Sequence, residues 1–145
     1  MSGRRISRLA VLAGVFLFLG ACAQALPSTL SPEPVAPSSN AEGYTGITVE
    51  QLAEMLEDKD FTLVNVHIPY DGEISPTDLL IPYSEIESNL DKLPNKNALI
   101  VLYCRSGPMS TTAAKSLVGL GYTNVLEVGG GMRAWKAAGY QLIRR

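Results

Sequence analysis

A chain of 145 residues holds one domain and a leader, not a string of domains. Its 46% apolar content suffices for one core, while a formal charge of −2 leaves no basic surplus for gripping a nucleic-acid backbone. One His and one free Cys, Cys104, cannot make a closed metal site.

The first residues read as a targeting segment. Arg4, Arg5 and Arg8 form a basic region ahead of an apolar run over 9–20, which is short for a bilayer span. The run ends in Leu19-Gly20-Ala21-Cys22, which resembles a bacterial lipobox, where the cysteine is lipidated and becomes the first mature residue. This divides the chain into a lipoprotein signal peptide over 1–21, a tether over 22–44 and a folded domain over 45–145. Cleavage leaves 9 of the 12 basic residues against 14 acidic ones, a formal charge of −5. Pro27, Pro32, Pro34 and Pro37 break any helix in the tether, whose twenty or so residues reach roughly 60 Å if extended. The expected location is extracytoplasmic, lipid-anchored to the cell membrane or outer membrane. Ala23, not being acidic, favours the outer membrane of a two-membrane cell. With Cys22 lipidated, Cys104 is the one remaining thiol and has no disulfide partner.

Ile47 opens the folded part in a short edge strand, and Thr48 with Gln51 makes a capping box for a helix to Asp58. In that helix Val49, Leu52, Ala53 and Leu56 recur on one face, with Glu50, Glu54 and Glu57 on the other. A strand over 61–66 follows, then a loop with Pro69, Gly72 and Pro76, and a short edge strand over 80–83. Ser84 and Glu87 predict a capped helix to Leu93, stopped by Pro94. Residues 98–103 are nearly all apolar and read as a strand buried on both faces; 110–120 carry Ala114, Leu117 and Val118 at helical spacing, with Gly121 as C-cap. A strand over 125–128 and a helix over 132–138, capped by Gly139, complete the pattern. Strands alternating with helices predict an α/β fold, a parallel sheet with helices on both faces.

Cys104 therefore lies where a buried strand gives way to a helix, across the turn Arg105-Ser106-Gly107. A free cysteine is by default a small buried hydrophobe, but Arg105, Ser106 and Gly107 are not strand-interior residues. A tight turn directs amides inward, and the helix N-terminus adds partial positive charge, so a thiolate is favoured. At an ordinary pKa near 8.5 only about 3% of a thiol is ionised at pH 7. Pro108 has no N–H to donate and disposes Gly107 towards extended backbone.

The run Cys104-Arg105-Ser106-Gly107-Pro108-Met109-Ser110 resembles the active loop of the rhodanese-like sulfurtransferases. Leu63-Val64-Asn65-Val66-His67, Gly72-Glu73-Ile74, Thr77-Asp78-Leu79-Leu80-Ile81-Pro82-Tyr83 and Gly129-Gly130-Gly131-Met132-Arg133-Ala134-Trp135 extend the resemblance over 47–143. It implies five strands with the Cys104 strand central, and sulfur transfer through a Cys104 persulfide. The donor would be a small sulfur anion such as thiosulfate, or a persulfide; the acceptor, a thiol or cyanide. No cofactor is implied, because the sulfur rides on Cys104. The resemblance also implies that Arg105 supports an anionic donor and that Ser106, with the loop amides, stabilises the persulfide.

His67 follows the second strand and could lower the thiol pKa as an imidazolium, though a structural role is favoured. The family more often has an acid and an arginine where Asn65 and His67 stand. Ser110 and Thr111 read as caps of the next helix, and Trp135 as core. Gly129-Gly130-Gly131 lacks dinucleotide-binding spacing and reads as backbone passing close to the active loop. No catalytic carboxylate stands out. Two rivals remain. Cysteine phosphatases and arsenate reductases use Cys-x5-Arg, but Ser110 occupies the arginine position. A catalytically weak module binding a partner protein in the cell envelope is favoured by Pro108 and Met109 and opposed by the intact Cys104.

Overall fold

The computed structural model describes residues 40–145; the signal segment, Cys22 and most of the tether lie outside the described residues. Among the described residues, β1 (Thr45–Ile47), α1 (Val49–Met55), β2 (Thr62–Asn65) and β3 (Leu79–Leu80) come first, then a 3-10 segment, Tyr83–Lys92. β4 (Ile100–Tyr103), α2 (Pro108–Gly119), β5 (Val125–Val128) and α3 (Gly131–Ala137) follow. The strands form one parallel sheet in the order β1-β5-β4-β2-β3, with β4 central as expected.

All four β4 residues are buried, and their alternation divides the core in two. Ile100, Leu102 and Cys104 pack with Ala113, Ala114 and Leu117 of α2 and Ile86 of the 3-10 segment. Val101 and Tyr103 pack on the other face with Leu52 of α1 and with Met132 and Trp135 of α3. Each such aliphatic side chain contributes about 1.5–3 kcal/mol, which is what lets four-residue strands hold their register. Tyr103 also ties the long loop to the central strand. Its hydroxyl accepts the Ile74 N–H at 3.0 Å and lies 2.6 Å from Thr77 Oγ1, and burial pushes its pKa up to about 12.

The capping box forms, with Gln51 N–H to Thr48 Oγ1 at 3.2 Å and Thr48 N–H to Gln51 Oε1 at 2.8 Å. The helix ends at Met55, short of Asp58. Glu57 and Asp58 would put negative charge at its negative end.

The expected helix after Ser84 is instead 3-10, with Pro82 at its N-cap, no side-chain cap and a kink at Asn89 (φ −124°, ψ 26°). Asn89 Nδ2 donates to Glu85 O at 2.8 Å, so a side chain competes with the backbone ladder. The edge strand is Leu79–Leu80, and Pro82 falls beyond it. Tyr44, read from sequence as the last tether residue, is buried in the core beside α2.

Candidate active site

Cys104 follows β4 directly and is 1% exposed. Gly107 N–H donates to its Sγ at 3.0 Å, and Ser110 Oγ lies 3.4 Å away. Burial pushes the thiol pKa up, but hydrogen bonds from the Ser110 hydroxyl and from the amides of Ser110, Ser106 and Gly107 outweigh it. The net direction is down, as a nucleophile needs.

Two glycines allow this geometry. Gly107 has φ +117° and ψ −48°, so the extended backbone expected there is corrected: turning its N–H onto the sulfur takes a positive φ. Pro108 then starts α2 at N1, where its fixed φ suits the helix and its missing N–H breaks no bond, so the helix begins two residues earlier than its periodicity predicts. Gly131, the last of the three consecutive glycines, lies under the Cys104 backbone, as the close-approach reading expects. Met132 N–H donates to Cys104 O and Arg133 N–H to Arg105 O, both at 2.9 Å.

Ser110 is not the cap it was expected to be. It is fully buried inside α2, and its Oγ reaches Gly107 O at 2.8 Å and Glu127 Oε1 at 2.6 Å. Thr111 does not cap either; its N–H makes a helical bond to Gly107 O at 2.9 Å. Glu127 was missed by the sequence reading. Its only signal was an acid among Val125, Leu126 and Val128 of a core strand. It is 7% exposed, and burial pushes its carboxyl up from the usual range against the opposing Ser110 hydrogen bond.

His67 does not meet the sulfur. Its Nδ1 lies 3.3 Å from Met109 Sδ, and burial first, then the Arg105 charge, lower its pKa. Its contact in the structure is with Met109 and not with the thiol. Asn65 holds this corner: its Oδ1 accepts the His67 N–H at 3.0 Å and its Nδ2 donates to Gly72 O at 3.1 Å. A cleft of about 250 Å³ opens beside His67, lined mainly by Ile68, Tyr70, Leu80, Ile81 and Pro82. Arg105 and Ser106 are exposed at the loop surface, and Trp135 is core.

Comparison with known proteins agrees with this fold. The rhodanese-like domain family model matches residues 48–138. A sulfurtransferase from Allochromatium vinosum is 35% identical over 102 residues, covering 67% of this chain and 92% of that protein. The crystal structure of a rhodanese-like domain protein from Staphylococcus aureus is 31% identical with a TM-score of 0.59, covering 69% of this chain and 98% of the other. A rhodanese-related protein from Thermoplasma volcanium is 27% identical with a TM-score of 0.59, covering 68% and 96% respectively.

Proposed function

We propose, from the premise that this chain belongs to the rhodanese-like domain family, that it is a sulfurtransferase carrying sulfur as a persulfide on Cys104. The observation behind this is the geometry at the sulfur: the one free cysteine of the described residues accepts the Gly107 N–H at 3.0 Å and has Ser110 Oγ at 3.4 Å, bonds that favour the thiolate. With thiosulfate, the Cys104 thiolate attacks the outer sulfur, a new S–S bond forms, the donor S–S bond breaks, and sulfite leaves with the electron pair. A thiolate or cyanide then attacks the outer persulfide sulfur and regenerates the Cys104 thiolate. Because Pro108 and Met109 bring no second charge to the loop, a less charged donor such as an organic persulfide is favoured over a small dianion. Mass spectrometry after incubation with thiosulfate or an organic persulfide tests this. One added sulfur on Cys104 is expected, and an unmodified Cys104 with both donors would favour the partner-binding module instead.

The same proposal places the domain outside the cytoplasm on a lipidated Cys22. Wild type should fractionate with membranes and Cys22→Ser should not. A soluble, unlipidated wild type would refute the anchor.

A further inference from the structure

Glu127 is an acid where strand packing calls for an apolar residue. It sits on β5 opposite Leu102 of β4 and Gly46 of β1. Its Oε1 meets Ser110 Oγ at 2.6 Å, and that oxygen is 3.4 Å from Cys104 Sγ. The elements around it offer little else that titrates. β1 carries no ionisable side chain, β4 has Tyr103 turned to the other face, and Cys104 follows β4 directly. α2 offers Lys115, which pairs with Glu42 at 2.7 Å near the surface, and Tyr44 donates its hydroxyl to the same Glu42. Among the described residues no cation pairs with Glu127. A serine hydroxyl has one proton, and Ser110 has three acceptors in reach: Glu127, Gly107 O and Cys104 Sγ. The state of Glu127 decides where that proton goes.

We propose that Glu127 is a positioning residue that takes up the Cys104 thiol proton through Ser110, so that carboxyl and thiol titrate as one coupled pair. In the step, the S–H bond breaks as its proton moves to Ser110 Oγ, and the original Ser110 proton moves to Glu127 Oε1. The serine hydroxyl is re-formed, a carboxylic O–H is made, and the single negative charge passes from carboxylate to sulfur. No second charge enters the buried site, where like charges strongly oppose each other. The neutral carboxyl then donates to Ser110 Oγ, which leaves the Ser110 proton free for the thiolate. The raised pKa of the carboxyl, set by burial, agrees with a group ready to hold that proton.

This rests on Cys104 being the nucleophile proposed above, but its test uses no sulfur donor. In the full-length protein, the thiolate is followed by ultraviolet absorbance, as wild type minus Cys104→Ser, and Glu127 by its carboxyl NMR shift. The thiolate should appear in two steps at least about one pH unit apart, the signature of coupled sites. Glu127→Gln should merge them into one step, and Ser110→Ala should narrow the gap. The Glu127 midpoint should move by about one unit in Cys104→Ser. A single thiolate step that Glu127→Gln leaves in place, a gap unchanged in Ser110→Ala, or a Glu127 midpoint indifferent to Cys104 would each overturn the proposal. The midpoint comparison needs only wild type and Cys104→Ser, so it decides even if Glu127→Gln does not fold. Coupled titration without sulfur transfer would count against the transferase reading and leave the pair standing.

Discussion

Gly131 approaches the backbone of Cys104 so closely that a β-carbon on it would stand 2.1 Å from the Cys104 carbonyl oxygen. The contact sets the height of the active loop above α3, because the same carbonyl accepts the Met132 N–H. Gly131→Ala must push backbone against backbone, and at a φ of +50° the alanine is strained as well. A loss of about 1–3 kcal/mol is expected, together with a higher thiol pKa as the loop shifts. Denaturant titration checks the first, and a midpoint equal to wild type would show that the approach is not tight.

Cys104 makes stability depend on pH in a known direction. Its folded pKa is depressed, so between that value and the ordinary thiol range the unfolded chain binds more protons. Stability conferred by the thiolate is thus fully present above the unfolded pKa and is lost as pH falls through the folded pKa. The stability difference between wild type and Cys104→Ser should grow as pH rises across that window. A difference that shrinks would mean that burial dominates the thiol. Cys104→Ser should also abolish sulfur transfer while keeping the fold.

Pro108→Arg would put a charge where the active helix now begins with none. One charge-assisted hydrogen bond to a donor anion is worth about 1.5–3 kcal/mol, or roughly 10- to 150-fold in binding. Steady-state kinetics should show a lower KM for thiosulfate and less change for a neutral donor. If wild type already saturates at micromolar thiosulfate, the loop does not lack a cation.

Asn65 is a neutral clamp between His67 and Gly72. Its buried amide satisfies the His67 N–H and the Gly72 carbonyl at once. Asn65→Ala leaves both without that partner and should cost about 2 kcal/mol or more. Asn65→Asp keeps the acceptor for His67 and loses the donor to Gly72, so its thermal midpoint should fall between the two. An Asn65→Ala midpoint matching wild type would show that water replaces the clamp.

What the sequence by itself determined were the features that depend on near neighbours. Periodicity marked β4 and α2, the Thr48–Gln51 box marked the start of α1, Gly121 and Gly139 marked helix ends, and the apolar strand running into Cys104-Arg105-Ser106-Gly107 marked the thiol. Each is a matter of a few consecutive residues, where backbone hydrogen bonds and side-chain spacing act locally. Tertiary structure alone decided the rest. Ser110 looked like a cap until β5 brought Glu127 against it from seventeen residues away. Tyr44 looked like tether until α2 supplied a face to bury it. His67 was drawn to Met109, not to the sulfur, by a loop hung on Asn65 and Tyr103. A serine, a tyrosine or a histidine can satisfy its polar atoms in several ways, and only the neighbours that parallel strand pairing places beside it select one.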